Sequence, residues 1–275
     1  SAMSSPAPLT DRTALARHRA RAARDPALFL HEAARDEVQD RLFVVNRAFT
    51  SPAVVTPVPQ VWEGLLPGLK VLPDDEVLDL EEGAHDLVVH AMGLHWANDP
   101  VGQLVQARRA LKPDGLLLAL CFGGQTLHEL RAALGQAEIE VAGGLSPRVA
   151  PMGEIRDLGA LLQRAGLALP VADSFTLTAS YASALHLMRD LRAMGETNAL
   201  TGRLRRPTRR AVMLRAAALY AESFGDAEGR VPASFEIVTL TGWAPDASQQ
   251  TPLRPGSAAH RLSDALNTRE TPLED

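Results

Sequence analysis

Residues 86–122 read DLVVHAMGLHWANDPVGQLVQARRALKPDGLLLALCF, and the order of textures in this stretch decides the fold. Two apolar runs, Asp86-Leu87-Val88-Val89 and Leu116-Leu117-Leu118-Ala119-Leu120, are short, are bounded by turn residues and read as buried strands. Between them Asn98-Asp99-Pro100 opens a helix that runs to Leu111. A capping side chain there precedes a proline whose missing N–H does no harm in a first turn. Lys112-Pro113-Asp114-Gly115 closes the helix. Strand, helix, strand in this rhythm is a βαβ crossover, which implies a parallel sheet covered on both faces. The fold class is therefore α/β.

Working outward, Val54-Val55-Thr56 and Lys70-Val71-Leu72 read as two upstream strands, and the alternation from Phe235 to Trp243 as a last one. Downstream helices are expected from Thr126 to about Ala137, opened by a Thr126/Glu129 capping box, and from Glu154 to Ala165, stopped by Gly166. Two more are expected from Tyr181 to Met194, ending at Gly195, and from Thr208 to Phe224. Upstream, residues 11–40 alternate basic and acidic side chains around Leu15, Leu28, Phe29, Leu30 and Val38, the texture of exposed helices packed on another body. Three parts result: an N-terminal helical segment over 1–50, an α/β domain over 51–245 with a helical insertion at about 180–225, and a loose Ser/Pro/Gln/Thr-rich tail over 246–275. Ser1-Ala2 ahead of Met3 read as a tag remnant.

A chain of 275 residues with 46% hydrophobic and 22% charged residues can bury a sizeable core and is not intrinsically disordered. Cys121 is its one cysteine, which excludes an intramolecular disulfide and cysteine-cluster metal sites. Of 28 basic residues only Lys70 and Lys112 are lysines, a bias that coding preference explains. With a formal charge of −5 the chain lacks the broad positive field that nucleic-acid binding needs. Leu116 to Phe122 is far too short to span a bilayer, so the expectation is a cytoplasmic protein with no membrane span.

Asp86-Leu87-Val88-Val89, Gly93-Leu94-His95-Trp96, Asn98-Asp99 and Leu111-Lys112-Pro113-Asp114-Gly115 together resemble the later half of class I S-adenosylmethionine-dependent methyltransferases. Further motifs narrow the match: Phe122-Gly123-Gly124-Gln125-Thr126-Leu127-His128-Glu129-Leu130-Arg131, Gly143-Gly144-Leu145-Ser146-Pro147, Asp157-Leu158-Gly159, Asp190-Leu191-Arg192-Ala193-Met194-Gly195-Glu196 and Gly242-Trp243. These resemble the NADH:ubiquinone oxidoreductase complex assembly factor 5 family, a cousin of the malonyl-carrier-protein methyltransferase of biotin synthesis. The resemblance implies a Rossmann-like sheet, S-adenosylmethionine as cofactor, and cofactor contacts at Asp74 and Asp75, where the family's carboxylate meets the adenine amino group, and at His90 and Met92.

The residues must then meet what that chemistry requires. A class I enzyme cradles its cofactor on a glycine-rich turn after the first strand. Here that turn is Pro57-Val58-Pro59-Gln60; its two prolines lack N–H donors, and no glycine precedes Gly64. The thirty residues from Thr56 to Asp86 hold about one βαβ unit where the family spends several, so the sheet is expected to be truncated on the cofactor side, with fewer than seven strands. Asp74, Asp75, Glu76, Asp79, Glu81 and Glu82 read equally as a solvated acidic loop.

His95 is the candidate general base, because it follows a strand at the carboxyl edge, where ligands bind in such sheets; a core histidine is the plainer reading. A metal site from His85, His90 and His95 is not expected, since strand alternation sets 85 and 90 on opposite faces. Trp96 with Arg203, Arg205, Arg206, Arg209 and Arg210 reads as an aromatic anchor beside a charged rim for a protein partner. The expected function is that of a methyltransferase-fold pseudoenzyme, its pocket degenerate and its activity lost or impaired, acting through a protein partner in assembly or modification. The alternatives are an active methyltransferase with a non-standard cofactor loop and an arginine-hydroxylase-like assembly factor.

Overall fold

The computed structural model describes residues 10–24, 27–144, 155–195 and 209–249. Two helices lead, α1 (Arg12–Ala22) and α2 (Phe29–Val45), followed by β1 (Pro52–Val55), the one-turn α3 (Pro59–Trp62), β2 (Lys70–Leu72) and β3 (His85–Ala91). A 3₁₀ turn (Leu94–Trp96) leads to α4 (Pro100–Ala110), β4 (Leu111–Phe122), α5 (His128–Ala142) and α6 (Ile155–Arg164). The remainder is β5 (Ala168–Tyr181), α7 (Ala184–Ala193), α8 (Arg210–Phe224) and β6 (Val231–Trp243).

The strands form one six-stranded mixed sheet in the order β2-β1-β3-β4-β6-β5. The first four are parallel, and β6 runs antiparallel to both β4 and β5. Alternation along β4 divides the core. Leu116, Leu118, Leu120 and Phe122 face the layer that carries α2, α5, α7 and α8, whereas Leu117, Ala119 and Cys121 face α4 and α6. Strands buried on both faces need continuous apolar runs, which is why β3 and β4 were legible.

Asp99 caps α4 as expected, accepting from the Gly102 N–H at 2.8 Å, with Pro100 in the first turn. Lys112-Pro113-Asp114-Gly115 is not a simple helix stop. It bulges within β4, so that His85 pairs with Leu111 but Leu87 with Leu116. Asp114 adopts φ 63°, and its N–H donates to the Ala244 carbonyl.

Three expectations need correction. The capping box at Thr126 and Glu129 does not form, because both side chains are committed to β6. The Thr126 hydroxyl donates to the Glu236 carbonyl and accepts from its N–H, while Glu129 accepts from the Ser234 N–H and hydroxyl. Leu127 takes the cap position with φ 57°. Tyr181 ends β5 rather than beginning a helix, and Ser183 caps α7 instead. The fourteen-residue β5 was not anticipated at all. The tail from 250 onward and the stretch 196–208 lie outside the described residues, and no described helix is long and apolar enough to cross a membrane.

Candidate functional site at the carboxyl edge

The chain leaves β1 toward β2 on one side and returns to β3 on the other, so the topological switch falls between β1 and β3, where α/β sheets bind ligands. At that edge lies an open cleft of about 640 Å³. Its floor is the end of β1 (Thr56, Pro57, Pro59) and the end of β2 (Leu72 to Glu76), and its wall is one face of α1, formed by Arg12, Leu15, Ala16 and Arg19.

From Thr56 to Pro59 the backbone donors at this turn are already used or missing. The Thr56 N–H donates to the Leu72 carbonyl and the Val58 N–H to the Thr56 hydroxyl, at 2.9 and 3.1 Å, while Pro57 and Pro59 have none. The helix α3 that begins at Pro59 is only four residues long.

Asp74 is buried, and its two carboxylate oxygens accept from both terminal nitrogens of Arg19 at 2.8 and 3.0 Å. Its carbonyl accepts from Arg12 at 2.7 Å. Gly93 is the residue that lets this carboxylate in, since a Cβ there would lie 2.4 Å from Asp74 Oδ2. The next two residues of the loop are pinned from α4. The Gln103 amide nitrogen donates to the Asp75 and Glu76 carbonyls, which turns its Oε1 toward His90 Nε2 at 2.8 Å. His90 therefore carries its proton on Nε2. Complete burial, offset in part by Gln103 and Asp74, holds its pKa below the ordinary imidazole value. It is a neutral structural histidine.

The other predicted residues are placed as follows. Asp75 is exposed at the rim of the cleft. Met92, φ 64°, is fully buried just past β3, its N–H bonded to the Leu120 carbonyl. His95 is half-buried between Trp96 and Phe122 and sits 3.4 Å from the Phe122 N–H through Nδ1. Trp96, expected as an exposed anchor, is 1% exposed, because Ala14 and Leu15 of α1 cover its ring. Arg209 and Arg210 are exposed at the start of α8, whereas Arg203, Arg205 and Arg206 lie outside the described residues. Among the described residues no group of His, Cys, Asp or Glu is arranged to hold a metal ion. Sequence reasoning missed Arg12 and Arg19. They stand with Leu15 at helical spacing, but nothing in that spacing says what the stripe faces.

Comparison with known proteins bears on this geometry. A model of the methyltransferase domain matches residues 63–119, from just past α3 into β4. The arginine-hydroxylase NDUFAF5 of Danio rerio is 41% identical over 202 residues, 72% of this chain and 62% of that one. Over residues 63–119 the chain is similar to the methyltransferase family. It is related to the NDUFAF5 proteins, the human one being 42% identical over 70% of this chain and 56% of its own length. A malonyl-[acyl-carrier protein] O-methyltransferase of Methylovorus is 36% identical over 66% of this chain and 59% of that one. The chain thus spans about six-tenths of the length of the curated relatives it matches.

Proposed function

We propose that this chain is a methyltransferase-fold protein whose S-adenosylmethionine pocket is degenerate and which works through a protein partner in assembly or modification. The observation that carries the reading is the Arg19–Asp74 fork, with a guanidinium of the chain itself on the carboxylate that the family turns toward the cofactor's adenine. The proline turn after β1 supports it, since neither proline offers an N–H and the Val58 N–H is spent locally. The residues present do not fit the cofactor. Each lost charge-assisted or dipole-assisted contact costs roughly 0.5–3 kcal/mol, and several together remove orders of magnitude of affinity.

Titration calorimetry with S-adenosylmethionine on the purified chain tests the first half. The expected result is a Kd weaker than about 1 mM, which corresponds to roughly −4 kcal/mol. Micromolar binding, or cofactor carried through purification, overturns the reading in favour of an active methyltransferase. The relatives' name favours one alternative, hydroxylation of a partner's arginine. A partner co-expressed with this chain and gaining one oxygen on arginine would establish it. The partner surface is placed at the exposed Arg209 and Arg210; a charge reversal there abolishes partner recovery if the placement is right.

A further inference from the structure

α1 is held to the molecule more like a bound ligand than like part of the core. It buries only Ala14, Leu15 and Ala22, and eight of its eleven residues stay partly or fully exposed. Its attachment at the carboxyl edge is polar. Arg12 reaches the carbonyls of Asp74 and Trp96, Arg19 forks onto Asp74, and just ahead of the helix Thr10 and Asn98 exchange two hydrogen bonds. Arg12, Leu15, Ala16 and Arg19 share one helical face, and that face is the wall of the cleft. The last turn of α1 packs against Gly195 after α7 through the backbone and stem of Arg19 and through Ala22, and the Ala27 N–H donates to the Ala193 carbonyl, so this end is the pivot and, of Arg19, only the guanidinium takes part in the fork onto Asp74. Under α1 lies Trp96, which clusters with Ala14 and Leu15.

We propose that α1 is a charge-latched strap, closed here by the Arg19–Asp74 fork, whose release opens the cleft beside β1 and β2 and bares Trp96. The strap governs access to the edge whatever the cleft accommodates, so the inference goes beyond the degenerate-pocket reading and does not depend on it. It also gives Trp96 a conditional role, covered in the closed form and presented as an aromatic surface in the open one. The latch has one weak element: Asp74 is buried and cannot be left unpaired, but Arg19 keeps 20% of its side chain in contact with solvent and is free to be drawn away by a competing anion or by a partner's carboxylate.

Hydrogen exchange read by mass spectrometry on the full chain tests this, comparing peptides of residues 10–24 with those of residues 111–122. In the unaltered protein α1 is expected to be protected. In Arg19→Gln, and in Asp74→Asn, its exchange is expected to accelerate about ten- to hundredfold, the equivalent of losing a charge-assisted bond, while β4 is unchanged. Arg19→Lys should recover part of the protection. In Arg19→Gln iodide should quench more tryptophan emission, and the excess should vanish when Trp96 is also replaced by Phe. The proposal fails if α1 is unprotected in the unaltered chain, if the two variants leave α1 protected, or if α1 and β4 lose protection together. Should Asp74→Asn not fold, Arg19→Gln on the more exposed partner decides alone. A titration showing tight cofactor binding would overturn the preceding reading and leave this one standing.

Discussion

His90 shows how a residue with catalytic chemistry is turned to structure. Its Nε2 is satisfied by Gln103, and its Nδ1 is buried without a hydrogen-bond partner among the described residues. A charged ring is unwelcome there. Because its pKa is lower in the folded than in the unfolded chain, the unfolded state takes up a proton first as pH falls. The stability held by neutral His90 is complete above about pH 6.5 and is lost below it, at up to about 1.4 kcal/mol per pH unit, until the folded value is reached. Urea denaturation at pH 7.5 and pH 5.0 should therefore show the unaltered protein losing more stability than His90→Gln over that interval. Equal losses would place the acid sensitivity elsewhere. Cys121 is likewise disarmed: complete burial pushes its thiol up to about 12, so it stays protonated at neutral pH. At this scale the sequence named the residue types but not their surroundings. His90, Met92 and Trp96 were singled out at the end of β3 and just past it, but their surroundings come from elsewhere: Gln103 of α4 for His90, the layer of α2, α5, α7 and α8 for Met92, and α1 for Trp96.

Elements were legible where one signal dominated. β3, α4 and β4 were foreseen because continuous apolar runs and an Asp-Pro cap leave few alternatives, and the Thr56–Lys70 interval was correctly judged too short for a full additional unit, holding one turn of helix. β5 was missed although Phe175, Leu177, Ala179 and Tyr181 alternate with Thr176, Thr178 and Ser180. Every one of its residues keeps some exposure, so its apolar contrast is faint, and its length is fixed by antiparallel pairing with β6. The entry to α5 failed differently, since a correct local pattern was overridden by a tertiary one. Glu129 is buried against the half-buried Ser234, and removing it takes the acceptor from the Ser234 N–H and hydroxyl. Loss of a helix cap alone costs about 1 kcal/mol, whereas each orphaned group costs about 1–3 kcal/mol. Glu129→Ala is thus expected to destabilise by about 2–4 kcal/mol, and a double-mutant cycle with Ser234→Ala to show coupling above about 1 kcal/mol. Additive effects would return Glu129 to the role of a helix cap.

On the scale of the whole molecule, shortening the chain on the cofactor side leaves an unequal sheet. β2 is three residues long at one edge, paired with β1 only from Ala53↔Lys70 to Val55↔Leu72. Across the sheet β4, β6 and β5 are twelve, thirteen and fourteen residues long; β6 pairs with β5 almost throughout and with β4 from Leu116 to Phe122. The N-terminal side is further tied by paired polar contacts near solvent, such as Thr50 and Ser51 with Asp86 and Arg47 with Asp114, which water can replace. Local opening free energies range from near zero at poorly packed edges up to the global value in the core, so the sheet should open from β2 inward and the β4–β6 ladder last. Native-state hydrogen exchange in low denaturant should rank the amides in that order, with Lys70 to Leu72 exchanging at least about tenfold faster than Leu117 to Cys121. The same gradient puts the cleft on the labile side and the exposed start of α8 on the helical layer that packs against the long strands. A partner that binds through Arg209 and Arg210 should then leave the β2 edge as labile as before, whereas one that binds at the cleft should protect it. Uniform exchange across the six strands would mean that β1 and β2 are stabilised by more than their own pairing, and that the shortened edge is as firmly built as the rest of the sheet.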